Sequence, residues 1–309
     1  MRRKNRLDVL PGILLLGVIV LAGAPALAAD DTRPKTELRI VLSAARPTLA
    51  ADAVDPKADF KAFRDYFTSR FPKVPLDDFV NGPYSMDEGL RKQWKEIEDF
   101  PPYEFAVDKG KEMFAKPFAN GKTYATCFPD KGIGIRQNYP YFDTKSGQVV
   151  TLEVALNQCR ALNGERPLDA TKDDMASLTA YMAFTSRGKR FDIKIPDDPR
   201  ALAAYRKGEE YFYTRRGQLN FSCASCHVQS AGNYIRTEVL APALGIMAAM
   251  PIYRSEWSGM GTVSRRFTSC NSQVRATPLP ADDELYRDVE YFLTYMGNGL
   301  PVSGPGARP

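Results

Sequence analysis

The spacing of hydrophobic and polar positions predicts a chain that is mainly α-helical beyond residue 56. In the clearest segment, Leu202, Tyr205 and Phe212 fall on one face of a helix. Spacing of this kind predicts helices over residues 57–71, 87–100, 107–115, 152–163, 172–186, 199–215 and 283–296.

Several of these helices have recognisable ends. Asp198 before Pro199 is typical of a helix start, because an N-cap acid is followed by proline at the first helical position. Thr171 and Asp174 resemble a capping box, which predicts the start of the helix over 172–186. The pair Asn163-Gly164 predicts a helix end.

The N-terminal pattern is that of a targeting segment. A basic stretch precedes an apolar run over residues 9–21, and Ala26-Leu27-Ala28 fits a small-x-small cleavage site. This predicts a signal peptide over 1–28, cleaved after Ala28, and export to the periplasm; an uncleaved membrane anchor is the alternative. Residues 29–56 are expected to form a polar arm, and no later segment predicts a membrane span.

The composition limits the kinds of partner and site that the chain can have. The 309 residues are 44% hydrophobic and 26% charged, which is ordinary for a globular protein. A net charge of +5 gives no reason to expect a nucleic acid as partner. One histidine and five cysteines exclude any site that needs two histidines.

The chain contains a repeated unit. Residues 109–114 (KGKEMF) match residues 207–212 (KGEEYF), and Cys159 and Cys270 each lie eight residues before a Pro-Leu pair. Tyr181-Met182 matches Tyr295-Met296 late in another predicted helix. The repeat predicts two homologous helical domains, over 57–190 and 191–309.

The second unit carries the string Cys-Ala-Ser-Cys-His at residues 223–227, which is the attachment signature of c-type haem. It predicts one covalent haem c per chain, with thioethers from Cys223 and Cys226 and His227 as a ligand of the iron. The alternatives are a zinc site completed by Cys270, a disulfide, or a redox dithiol.

The second axial ligand cannot be histidine, because the chain has only one. Cys270 is the sharper candidate, because Arg265, Arg266 and Arg275 surround it in sequence and nearby cations favour the iron-binding thiolate. A buried, unreactive cysteine is the alternative role. The methionines that could replace it as ligand are Met247, Met250, Met260 and Met296.

The first unit lacks the attachment motif, which excludes covalent haem of the usual kind there. It keeps Cys127 near the position of the motif and Cys159 at the position equivalent to Cys270. If the units share a fold, these cysteines face each other, which favours a disulfide worth roughly 3 to 4 kcal/mol. Two separate buried thiols are the alternative.

Together these features resemble the SoxA family, the larger subunit of the SoxAX cytochrome complex of periplasmic thiosulfate oxidation. The resemblance rests on the tandem cytochrome c-type units, the haem motif, and residues 266–275 with their Arg-x-x-x-Cys-Asn pattern. Residues 151–159 are also similar to the family. The resemblance implies a mainly α fold of tandem cytochrome c-type domains, the first without haem, in which Cys127 and Cys159 are bridged.

The resemblance also implies an activity, that of an L-cysteine S-thiosulfotransferase. Such an enzyme couples thiosulfate oxidatively to a cysteine of the SoxYZ carrier protein, and the electrons pass through haem to an acceptor cytochrome c. Its partner is a small SoxX-like cytochrome subunit. Carried over by residue, His227 and Cys270 ligate the iron, Cys270 is the catalytic sulfur as a persulfide, and Arg266 binds thiosulfate.

Two other functions stay open on the sequence. One is a periplasmic electron-transfer cytochrome without a substrate of its own, which would need a methionine ligand and would give Cys270 no task. The other is a haem-containing interaction subunit whose partner performs the chemistry.

Overall fold

The computed structural model of the chain describes residues 54–308. The predicted signal peptide and most of the predicted arm lie outside these residues. Eight α-helices occur within the described part: α1 Pro56–Arg70, α2 Glu88–Ile97, α3 Glu104–Ala115, α4 Leu152–Leu162, α5 Asp173–Phe184, α6 Pro199–Tyr213, α7 Val263–Gln273 and α8 Glu284–Met296. No helix of the described residues is both long and apolar enough to cross a membrane.

Seven of these helices lie where the hydrophobic spacing predicts them, with ends shifted by a few residues. Asp198 caps α6 as expected, accepting a hydrogen bond from the Arg200 amide at 2.8 Å. Asn163 ends α4, and Gly164 follows it with φ of 79°. The predicted capping box is wrong, because the N-cap of α5 is Lys172 and the Thr171 hydroxyl donates instead to Asp169 at 2.7 Å.

Short strands lie between the helices. They are β1 Tyr141–Asp143, β2 Gln148–Val150, β3 Tyr234–Ile235, β4 Glu238–Val239, β5 Ile252–Arg254, β6 Gly259–Gly261 and β7 Gly306–Arg308. The first four form two antiparallel hairpins, whereas β5 is the central strand of a small mixed sheet. Within that sheet β6 is antiparallel and β7 parallel to β5, which brings the chain's C-terminal strand to the middle of the second repeat.

The two matched segments make the same helix crossing. A Cβ atom on Gly110 of α3 would lie 2.0 Å from the Ser177 carbonyl oxygen of α5, and one on Gly208 of α6 would lie 2.1 Å from that of Asp288 in α8. Each glycine therefore lets two helix backbones approach more closely than any other residue could.

Ring contacts fix the register of this repeat. The rings of Phe114 and Tyr181 lie 5.5 Å apart, and those of Phe212 and Phe292 lie 5.6 Å apart. Tyr181 is therefore equivalent to Phe292, and its sequence match to Tyr295 is wrong by three residues. The predicted division of the chain at residues 190 and 191 stays a prediction.

The buried side chains form two main cores. One surrounds α3, α4 and α5, and the other surrounds α6, α8 and the haem motif. Phe63 and Phe67 of α1 lie in the second core, and the Phe63 ring is 6.4 Å from that of Phe292. Thus α1 packs on the second repeat, although it precedes the first repeat in sequence.

Candidate functional site

One cavity of the second repeat collects the side chains singled out by the sequence. Cys223, Cys226, His227, Arg266 and Cys270 all line it. The first three come from the turn after α6, and the other two come from α7. The rest of the lining is mostly apolar and includes Val239, Leu240, Ile246, Met247, Met250, Ile252 and Leu293.

The motif is held by hydrogen bonds within its own turn. The Ser222 hydroxyl accepts a bond from the Ser225 amide at 3.1 Å, and residues Ser225–Gln229 form a π-helical turn. This local geometry points Cys223, Cys226 and His227 into the same cavity.

His227 is oriented by the backbone beyond the motif. Its Nδ1 lies 2.9 Å from the Ala241 carbonyl oxygen. A carbonyl can only accept, so Nδ1 carries the proton and Nε2 keeps its lone pair. Burial lowers the pKa of His227 to about 4, so the ring is neutral at neutral pH and is a competent metal ligand.

Burial favours the protonated form of both motif thiols. Burial raises the pKa of Cys223 to about 11, and the nearby charge of Arg216, whose Nη1 is 3.6 Å from the sulfur, opposes this effect. Burial also raises the pKa of Cys226. Cys223, Cys226 and Cys270 are all free cysteines.

The side chains named for the zinc alternative line one cavity but are not arranged as a metal site. Within residues 54–308, no group of three or more His, Cys, Asp or Glu side chains is arranged to hold a metal ion. By contrast, the residues suit haem: two thiols, a neutral imidazole nitrogen and a third thiol meet in a mostly apolar cavity. Cys223 and Cys226 could attach the porphyrin, and His227 and Cys270 could ligate iron.

Arg266 and Cys270 lie four residues apart on α7, which places them on one face of the helix. The hydrophobic spacing predicts no helix over this segment. Thr262 caps the helix, and its hydroxyl accepts a bond from the Arg265 amide at 3.2 Å. Asn271 fixes the far end through the Tyr211 hydroxyl at 2.9 Å and the Tyr286 hydroxyl at 3.0 Å.

Of the three arginines near Cys270 in sequence, only Arg266 lines the cavity. Its Nη1 is buried and has no hydrogen-bond partner among the described residues. Arg265 turns away: its Nη1 is 3.7 Å from Asp173 of α5, and its guanidinium lies 4.6 Å from the Trp257 ring. Among the four methionines, Met247 and Met250 line the cavity.

Three further arginines, which the sequence did not single out, also line the cavity. They are Arg216, Arg254 and Arg308. Arg216 follows α6, Arg254 ends β5 and Arg308 ends β7. Since they come from three separate elements, no local motif could have revealed them.

The equivalent region of the first repeat contains a disulfide. Cys127 and Cys159 are bonded, with Cα atoms 5.7 Å apart, so the predicted bridge is confirmed. Aromatic rings pack around it, including Phe114, Tyr124 and Phe128. The Phe114 and Tyr124 rings stack at 5.6 Å.

Comparison with known proteins agrees with this arrangement. Residues 109–191 match the family model described as SoxA/TsdA, cytochrome c domain. The matched segment contains the Cys127–Cys159 disulfide and begins with the Lys-Gly segment of the first repeat.

Relatives match both repeats. A protein of Allochromatium vinosum named L-cysteine S-thiosulfotransferase subunit SoxA is 53% identical over 80% of this chain and 88% of its own length. A protein of the same name from Chlorobaculum tepidum is 50% identical over 81% of this chain and 87% of its own. The crystal structure of SoxXA from P. pantotrophus superposes with a TM-score of 0.64 at 32% identity, covering 71% of this chain and 84% of the matched chain. The chain therefore belongs to the SoxA family of L-cysteine S-thiosulfotransferase subunits.

Proposed function

We propose that the chain acts in the periplasm and couples thiosulfate oxidatively to a cysteine of the SoxYZ carrier protein. The observation that carries this proposal is the pairing of Arg266 and Cys270 on one face of α7 inside the haem-motif cavity. Arg266 brings a buried Nη1 without a partner. A guanidinium fork suits the oxygens of the thiosulfate dianion.

One haem c would be held in the same cavity. Cys223 and Cys226 would attach it through thioethers, and His227 and Cys270 would ligate its iron. When bound, the haem would supply an acceptor for the electrons of sulfur oxidation, with a SoxX-like cytochrome subunit and an acceptor cytochrome c as partners. The bond from His227 to the Ala241 carbonyl supports this assignment, because it leaves Nε2 free to ligate.

The proposed reaction is a two-electron oxidation that joins thiosulfate to the carrier thiol. One carrier thiol and one thiosulfate dianion give a carrier-bound R–S–S–SO₃⁻ group, one proton and two electrons. A sulfur–sulfur bond forms and the S–H bond of the carrier breaks. Arg266 holds the sulfonate oxygens, and Cys270, as a persulfide, is the catalytic sulfur beside the terminal sulfur of thiosulfate.

The first repeat takes no haem in this proposal. Its two cysteines are used in the Cys127–Cys159 disulfide. A single histidine, His227, is present in the whole chain, and it belongs to the second repeat. One haem per chain follows.

The substitution Cys270→Met tests the function. A thioether can still ligate iron, so the variant should keep its covalent haem. Thiosulfate-dependent reduction of the acceptor cytochrome, measured with SoxYZ present, should be lost.

A plain electron carrier makes the opposite prediction. Because Met247 and Met250 line the cavity, such a protein would use a methionine ligand, and wild-type protein would show the near-infrared band of thioether-ligated iron. That band, or a wild-type rate in Cys270→Met, would contradict the proposed role of Cys270.

A further inference from the structure

Two arginines of the cavity are direct neighbours in the small sheet. Arg254 on β5 and Arg308 on β7 are register partners in the parallel pair. Residues in register on adjacent strands project their side chains to the same face, and both arginines line the cavity. Like charges directly opposite each other destabilise a sheet, so the pair calls for a compensating anion.

The positive charge of Arg254 is already partly neutralised by two carboxylates. It is 4% exposed, and its Nη2 donates to Glu238 at 3.0 Å and to Glu256 at 3.2 Å. Its Nε is buried and has no hydrogen-bond partner among the described residues.

The positive charge of Arg308 is neutralised far less. Its guanidinium donates to two backbone carbonyls, from Nη1 to Ala307 at 2.9 Å and from Nη2 to Val80 at 3.3 Å, and it also hydrogen-bonds the Tyr84 hydroxyl. Burial lowers the pKa of Arg308; Tyr84 and Glu98 oppose this effect, and the charge of Arg254 adds to it. A guanidinium in this setting is a binding group for a carboxylate.

The position of Arg308 ties it to the segment that orients His227. A Cβ atom on Gly82 would lie 3.4 Å from the Ala241 Cβ and 3.5 Å from Arg308 Nη2. Ala241 is the residue whose carbonyl accepts from His227. Arg308 is therefore beside the wall of the cavity that carries the proposed iron ligand.

The motif cysteines have different cationic neighbours. The charge of Arg216 acts on Cys223, and that of Arg266 acts on Cys226. In haem, the two carboxylate side chains lie on the edge of the ring opposite the vinyl groups that bond to cysteine. A pair of cations that lies apart from the cysteines is therefore suited to bind those carboxylates.

We propose that Arg308, supported by Arg254, binds a carboxylate side chain of the haem. This inference rests on the proposed haem attachment and adds the residues that anchor the other edge of the ring. The ion pair neutralises the carboxylate, which would otherwise be buried as an unpaired charge.

The test uses the full-length holoprotein with Arg308→Gln, Arg308→Lys and Arg254→Gln. Arg206→Gln is the matched control, because Arg206 pairs with Glu210 on the exposed side of α6. Resonance Raman spectra contain a carboxylate side-chain bending band of haem whose frequency reports hydrogen bonding to that group. This band should move to lower frequency in Arg308→Gln, move less in Arg308→Lys, and keep the wild-type position in Arg206→Gln.

The haem midpoint potential gives a second measurement. It should fall in Arg308→Gln, because a carboxylate that is no longer neutralised stabilises ferric iron.

Other outcomes separate this inference from the proposed function. An unshifted band in Arg308→Gln at wild-type haem content overturns the carboxylate site and leaves the haem assignment standing. If Arg308→Gln does not accumulate, unshifted bands in both Arg308→Lys and Arg254→Gln overturn it equally. A wild-type chain without covalent haem overturns both.

Discussion

Gly208 of α6 lies against the backbone carbonyl of Asp288 in α8, so closely that a methyl group there would fall 2.1 Å from the oxygen. Gly110 and Ser177 make the same contact in the first repeat, at 2.0 Å. The identical contact in both repeats shows that the Lys-Gly segments found in the sequence mark the closest approach of two helices.

Gly208→Ala should destabilise the second repeat. The new methyl group must push α6 away from α8, and overpacking of this kind costs about 1 to 3 kcal/mol. The measurement is the free energy of unfolding from urea titration. Ala203→Ser adds an atom to the exposed face of the same helix and should change the free energy by less than about 0.5 kcal/mol. Equal stabilities of Gly208→Ala and wild type would contradict the rigid crossing.

The helices were predictable because local signals specify them. Hydrophobic spacing and the Asp198 cap locate α6 without tertiary information. In contrast, α7 is rich in Ser, Thr and Asn, and its ends depend on Thr262 and on the bonds of Asn271 to distant tyrosines. The pairing of β5 with β7 joins residues far apart in sequence, so no local pattern predicts it.

Removing the disulfide should destabilise the first repeat. In the chain-entropy account, a loop of 32 residues is worth roughly 3 to 4 kcal/mol. The double variant Cys127→Ser/Cys159→Ser should therefore unfold at lower urea concentration while it retains covalent haem. Treating wild-type protein with a thiol reductant should reproduce the shift, and a reductant effect on the double variant would contradict this explanation.

Asp288 should make stability depend on pH. It is 1% exposed, and neither carboxylate oxygen has a hydrogen-bond partner among the described residues. Burial raises the pKa of Asp288 from 3.8 to about 7, and Glu284 adds to the rise while Lys207 and Arg287 oppose it. Because the folded state holds the proton more tightly, stability should fall as pH rises from about 4 to about 7 and then level off.

Asp288→Asn removes this dependence. At pH values above about 7 the variant should be more stable than wild type by on the order of 1 to 3 kcal/mol, and near pH 4 the two should be similar. Burial and the charge of Glu153 also raise the pKa of Glu290, so the difference between variant and wild type is used to isolate Asp288. Asp108→Asn on the exposed face of α3 is the control. A constant difference across the pH range would contradict the titration of Asp288.

The site was predictable only as far as its residues are close in sequence. Cys223, Cys226 and His227 form a contiguous motif, the cationic neighbours in sequence singled out Cys270, and the resemblance to a known family added the role of Arg266. The remaining arginines of the cavity come from β5, β7 and the turn after α6, and they meet only in the folded chain. Sequence proximity also placed Arg265 beside Cys270, whereas in the folded chain Arg265 contacts Asp173.

Arg266→Lys should impair the thiosulfate step even though the charge is kept. A lysine presents a point charge, which cannot reproduce the two-pronged grip of a guanidinium on sulfonate oxygens. Losing a charged hydrogen bond costs roughly 1.5 to 3 kcal/mol, which corresponds to about a 10- to 150-fold lower kcat/KM for thiosulfate. Arg265→Lys is the matched control, because it makes the same substitution one residue away on α7 but outside the cavity. Steady-state turnover with SoxYZ and the acceptor cytochrome measures both variants. A wild-type kcat/KM in Arg266→Lys, or an equal loss in Arg265→Lys, would show that the anion is held elsewhere.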